Sequence, residues 1–134
     1  MAPLKLEVIT PERVTLKTEA EGVVAPGLMG YLGILPGHAP LITPLKAGVV
    51  TYRQHGGGEE RLAVSGGFLE AGPEHAVILA DTAEKAAEID VERARRAKER
   101  AERRLRERPP GLDVARAEAA LQRAVARLKA AGAL

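Results

Sequence analysis

Arg93 and Arg100 stand seven residues apart, and Arg123 and Arg127 stand four apart. On a helix either spacing puts both side chains on one face. Guanidinium forks recognise phosphate oxygens in paired hydrogen bonds, so two such helices closed against each other could bring four arginines onto one anion. The competing reading is a solvated helix. Arg93, Arg95, Arg96, Lys98, Arg100, Arg103, Arg104, Arg106 and Arg108 are interleaved with Glu92, Glu99, Glu102 and Glu107. In that reading Glu99 with Arg103 and Glu102 with Arg106 form internal i,i+4 ion pairs.

Other chemistry is thinly represented. No Gly-Lys pair occurs, which removes a Walker A phosphate loop. His38, His55 and His75 lie far apart and read as turn or strand-edge residues, not as metal ligands. Ser65 precedes Gly66-Gly67, but position 63 is Ala, so a nucleophile elbow is missing its first glycine. With no cysteine, thiolate zinc sites, disulfides and cysteine nucleophiles are excluded. Nothing assembles a catalytic constellation.

Composition divides the elements that must position these arginines. Residues 1–87 carry seven Lys/Arg against ten Asp/Glu, net −3, whereas residues 88–134 carry thirteen against eight, net +5. All three aromatics (Tyr31, Tyr52, Phe68) and 12 of the 14 glycines fall in the first part. Two compositions in 134 residues imply two units. The chain is therefore read as α+β, with strands first: residues 1–86 a β-sandwich and 87–134 a two-helix unit.

In the first unit, Leu4–Val8 and Val14–Thr18 alternate apolar and polar residues, the period of a half-buried strand. Val50 and Tyr52 run into the turn His55-Gly56-Gly57-Gly58, and Leu62 and Val64 return from it, forming a hairpin. Ala76–Ala80 is wholly apolar, as in a strand buried on both faces. Closely spaced strands without helical pattern predict an antiparallel sandwich or barrel.

In the second unit, helix formers run from Asp90 to about Glu107, Pro109-Pro110-Gly111 stops them, and a second helix runs from an Asp113 cap to about Ala131. Ala94, Ala97, Ala101 and Leu105 form one apolar stripe, and Ala117, Leu121, Ala124 and Leu128 the other. A seam of methyl groups buries little area, about 0.8 kcal/mol for each such group. The helix pair is thus weakly held and able to open.

Three stretches carry a resemblance. Gly30–Ile42 (GYLGILPGHAPLI), Ser65–Glu70 (SGGFLE) and Ile89–Ala94 (IDVERA) resemble signatures of the ε-subunit family of bacterial F-type ATP synthases, and the order and length of the whole chain agree. The resemblance implies an N-terminal sandwich of about ten strands that docks on the γ subunit and the membrane ring of c subunits, and a C-terminal hairpin that regulates. Within Leu28–Ile42, Leu28, Tyr31 and His38 are the expected rotor contacts. An extended form of the helices would inhibit ATP hydrolysis by facing an acidic segment of the catalytic β subunits, beside α. The +5 charge suits such docking.

Family members that bind ATP place Ile, Asp, Arg and Ala in the third motif, here Ile89, Asp90, Arg93 and Ala94. They add a Glu six residues before the Asp (Glu84), an Arg ten after it (Arg100) and two late arginines (Arg123 and Arg127). The resemblance therefore implies ATP as a regulatory ligand with no required cofactor and no catalytic or metal residue. Arg100, Arg123 and Arg127 would hold the phosphates, and Glu84 and the Asp90 region the nucleoside. It also implies a peripheral subunit on the cytoplasmic face of the cell membrane, held there only through the complex. Met1–Thr10, lacking a basic and an apolar leader segment, agrees.

The alternative is nucleic-acid binding by the basic hairpin. The interleaved glutamates and the lack of aromatics for base stacking count against it. Pro109-Pro110 and the uncharged tail Ala130–Leu134 depart from the family pattern, the first by stiffening the turn, the second by leaving any inhibitory contact to the earlier arginines.

Overall fold

A computed structural model describes residues 2–134. Seven strands come first: β1 (Leu4–Ile9), β2 (Val14–Gly27), β3 (Gly30–Ile34), β4 (Leu41–Gln54), β5 (Glu59–Ala71), β6 (His75–Ala80) and β7 (Ala83–Lys85). A 3₁₀ turn at Ala86–Glu88 leads into helices α1 (Val91–Glu107) and α2 (Val114–Ala130).

The strands pair in the order β1-β6-β5-β4-β2-β3, with β7 on β5 and a further β1–β2 pairing. That pairing closes β1, β6, β5, β4 and β2 into a ring. Four of its contacts are antiparallel and β1–β6 is parallel, which departs from the all-antiparallel expectation. The cause is arithmetic: alternating directions around an odd number of strands must leave one like-directed pair.

The strand count of seven, where the resemblance implies about ten, has a local cause. β2, β4 and β5 are 14, 14 and 13 residues long, and β2 and β5 change neighbours part-way. β5 pairs β7 through Leu62–Val64 and β6 through Gly67–Ala71. The change falls at Gly66-Gly67, whose φ values are +92° and +124°. A Cβ on Gly67 would overlap the Leu79 carbonyl oxygen, so only glycine lets β6 approach there.

Leu4, Leu6, Val8, Val23, Ile34, Val50, Leu62, Leu69 and Ile78 fill the ring, each almost wholly buried. β6 is not buried on both faces as its composition predicts. Ala76, Ile78 and Ala80 point inward, while Val77 is half-buried and Leu79 is 52% exposed. An apolar run cannot distinguish a two-sided core strand from one whose outer face is kept apolar for another purpose.

α1 lies on α2, and α2 lies on β4 and β5. Ala94, Ala101, Ala117, Ala124 and Leu128 are buried, as the two stripes predict, while Ala97, Leu105 and Leu121 are half-buried. α2 also has a second buried row, Ala126 and Ala130, which meets Val49, Ala63 and Ile89. Alanines therefore form both its seams.

Candidate functional site

Each helix is fixed at its ends by its own sequence. Asp90 accepts the Arg93 amide at 3.1 Å, and Asp113 accepts the Arg116 amide at 3.0 Å, both as N-caps. α1 stops at Arg108, which takes a left-handed conformation (φ 47°), and Pro109-Pro110 cannot continue it. α2 ends in a Schellman motif: the Ala133 amide donates to the Leu128 carbonyl at 2.8 Å and the Gly132 amide to Lys129 at 3.1 Å.

Between the helices, towards their connecting turn, lies a groove of about 640 Å³. Ala97, Ala101, Ala117 and Ala120 are among its small lining residues, and Arg100, Arg104, Arg116 and Arg123 line it from both helices. Among the described residues, no carboxylate lies within 4 Å of any of these four guanidinium groups. Two of the four glutamates of α1 are engaged elsewhere: Glu92 with Arg95 at 2.6 Å and Glu102 with Lys98 at 3.1 Å. The expected pairs Glu99–Arg103 and Glu102–Arg106 are not formed: Glu102 turns back to Lys98, one turn earlier, and Glu99 has no ion-pair partner among the described residues. Asp113, the one acid lining the groove, is occupied in part as the α2 cap. Alanine on the lining and unpaired arginine around it suit a multiply charged anion.

The expected nucleotide residues do not all come together in this closed form, where Asp90 serves as the α1 cap. Arg100 and Arg123 come together across the groove. Arg127 lies one turn beyond Arg123, and its Nε–H donates to Glu84 Oε1 at 2.6 Å, tying α2 to β7. Ile89 and Ala94 are buried, Ile89 in the seam between α2 and the sandwich. Arg93 is exposed. Arg104 and Arg116 were not singled out beforehand as anion ligands; their signal is that each stands within four residues of a helix terminus on the groove side.

The linker between sandwich and hairpin has its own fastening. Glu88 accepts the Lys85 amide at 3.1 Å and the Arg13 guanidinium at 3.2 Å. These bonds, the amide first, hold its carboxyl below the usual carboxylate range.

On the sandwich, Leu28 is 57% exposed at the β2–β3 turn, as a contact residue should be. Tyr31 is 54% exposed, its hydroxyl accepts the Val49 amide at 3.0 Å, and its ring borders a cleft beneath α2 lined by Lys46, Gln122 and Lys129. His38 is half-buried and its Nδ1 lies 2.6 Å from the Ala39 carbonyl, at the end of the Leu35–His38 turn. Other apolar residues are exposed too, Met29 and Ile42 within the expected Leu28–Ile42 segment and Phe68 and Leu79 outside it. Met29 is fully exposed, Ile42 is 73% exposed, and Phe68 and Leu79, cross-strand partners, are both more than half exposed. Pro44 continues this row beside Phe68, and Ile9 beside Leu79.

Comparison with known proteins accounts for both halves. The family model for the ATP synthase Delta/Epsilon chain beta-sandwich domain matches residues 3–86, and that for its long alpha-helix domain matches residues 87–132. The chain belongs to the ATP synthase epsilon family. The ATP synthase epsilon chain of Moorella thermoacetica is 75% identical over 134 residues, covering 100% of both chains. That of Desulforamulus reducens is 54% identical over 127 residues, covering 95% of this chain and 96% of its own. A chain of the Euglena gracilis mitochondrial ATP synthase superposes with a TM-score of 0.83 at 23% identity, over 98% of this chain and 82% of that one, which shows the shared fold.

Proposed function

We propose that this epsilon-family chain is a non-catalytic regulatory subunit of the central stalk of F-type ATP synthase. In this reading the hairpin seen here is the permissive state, and ATP favours it. The sandwich docks through its outward apolar row on γ, and through the Leu28–Met29 turn on the ring of c subunits. When the helices leave the sandwich, their basic faces meet the catalytic β subunits, beside α, and ATP hydrolysis is inhibited. The subunit is peripheral, at the cytoplasmic face of the membrane through the complex. No helix among the described residues is long and apolar enough to cross a membrane.

The observation that carries the ATP reading is the placement of Arg100 and Arg123 on opposite helices of one groove. A ligand held from both sides binds the closed pair and not the separated one, so it shifts the equilibrium by its differential affinity. At its own Kd such a ligand adds about 0.4 kcal/mol to the closed form, and at a hundred times Kd about 2.7. A switch working in that range needs two nearly balanced forms, and seams made of alanine supply little excess stability. Arg127 spends one of its five donors on Glu84, which leaves the others for a phosphate.

The test is calorimetric titration of the full chain with ATP. Binding is expected, with Arg123→Ala abolishing it while the circular dichroism spectrum stays unchanged. Unaltered affinity in Arg123→Ala would sink the assignment. Nucleic-acid binding keeps only the basic charge in its support, and the family relationship supplies the more specific account.

A further inference from the structure

The groove is longer than the expected nucleotide residues need. Of those residues only Arg100 and Arg123 line it, at its end towards the sandwich; Glu84 and Arg127, joined to each other, and Asp90 at the start of α1 lie outside its lining. Beyond them, next to the Pro109-Pro110-Gly111 turn, the antiparallel helices bring Arg104 and Arg116 to the same groove. Arg104 is four residues after Arg100, about 6 Å of helix rise, and Arg116 is seven before Arg123, about 10 Å. The basic lining therefore extends at least one helical turn past the foreseen pair.

Among the described residues neither side chain makes a hydrogen bond or ion pair. No carboxylate among the described residues is within 4 Å of either, although α1 alone carries four glutamates. The groove lining holds four arginines against the single Asp113. Like charges gathered on adjacent turns repel when empty, a cost that a bound polyanion removes. The alanines between the helices leave the space vacant, and the double proline ends the groove with a rigid wall.

We propose that the Arg104–Arg116 end of this groove is a further phosphate subsite, so that the hairpin prefers linked phosphate chains longer than a triphosphate. The ligand class is a nucleoside tetraphosphate, whose outermost phosphate would reach this end, or an inorganic polyphosphate lying along the whole arginine row. The inference rests on the nucleotide reading only for what fills the end near the sandwich.

The experiment is calorimetric titration of the full chain at 0.15 M salt with ATP, adenosine 5′-tetraphosphate and inorganic tripolyphosphate. It is repeated on the double variant Arg104→Gln/Arg116→Gln, both changes keeping helix propensity at exposed positions. Adenosine tetraphosphate is expected to bind about tenfold tighter than ATP, the gain for two added charge-assisted contacts at a solvated site. The double variant is expected to erase that difference, lowering tetraphosphate affinity about tenfold more than ATP affinity. Tripolyphosphate binding that the variant weakens assigns the subsite to phosphate as such; tetraphosphate binding alone assigns it to nucleotides. Equal affinity for ATP and the tetraphosphate in the parent chain overturns the proposal, and so does a double variant that loses ATP and tetraphosphate binding equally. If ATP fails to bind while tripolyphosphate binds through Arg104 and Arg116, the nucleotide reading falls and the subsite stands.

Discussion

The Glu84 carboxylate on the last strand accepts the Arg127 Nε–H at 2.6 Å, and so ties the sandwich to the second helix. Both side chains are one-third exposed, which places the pair between a surface bridge and a buried one. A coupling of about 1 kcal/mol is therefore expected from a Glu84→Gln/Arg127→Gln double-mutant cycle on thermal unfolding. The coupling should shrink as salt is raised to 1 M, where screening reaches about 3 Å. No coupling at low salt would show that the two groups do not hold the hairpin down.

The division of labour along the chain was legible because it is written in bulk properties. A charge split, the Pro109-Pro110-Gly111 stop and alternating strands place the sandwich, the helix pair and the caps Asp90 and Asp113 where the structure has them. Helical spacing grouped Arg93 with Arg100 and Arg123 with Arg127, and only the family resemblance put Arg100 and Arg123 in one site. Arg104 and Arg116 were not legible, because a groove depends on which faces of α1 and α2 meet. The outer face of β6 was misread for a related reason: burial on the second side depends on what covers the strand. The ion pairs of α1 differ because each acid has two candidate bases within a turn.

The linker fastening gives a pH dependence whose direction is fixed. Glu88 is held below its ordinary range by the Lys85 amide and by Arg13, so the folded chain favours its charged form more than the unfolded chain does. The stabilisation is therefore fully present above the ordinary carboxylate range, and is lost as pH falls through the lowered folded value. The hairpin tether should loosen in that acidic window, read by exchange of the Lys85 amide, and Glu88→Gln should flatten the dependence. An identical pH profile in Glu88→Gln would remove Glu88 from the tether.

Phe68 and Leu79 are opposite each other on β5 and β6 and both face outward. A soluble domain gains nothing from leaving paired large apolar side chains in water, and such rows mark contact surfaces. Leu79→Arg should change the unfolding free energy of the isolated chain by no more than about 0.5 kcal/mol, as for other surface substitutions. Its association with γ, measured by pull-down or surface binding, should fall by tenfold or more. Undiminished association would move the docking surface elsewhere, the Leu28–Met29 turn being the next region to substitute.

The two alanine seams make the opposite prediction, a large conformational effect without loss of fold. Ala126 is 3% exposed and packs with Ala130 against Val49, Ala63 and Ile89. Position 126 borders the cleft beneath α2 and packs against Val49, so three added heavy atoms wedge α2 away from β4, and overpacking of this kind costs about 1–3 kcal/mol. Separation of α2 from β4 and β5 relieves that strain at once, because the sandwich keeps its own core inside the ring. Ala126→Leu should therefore shift the chain towards the extended form while the amide signals of β1–β6 stay in place. The chain has no cysteine, so two introduced cysteines can carry a distance label between sandwich and α2. A longer mean distance in Ala126→Leu, partly reversed by ATP, is the expected result. An unchanged distance with a lowered melting temperature would mean that hairpin and sandwich unfold as one unit, and that the seam is no switch.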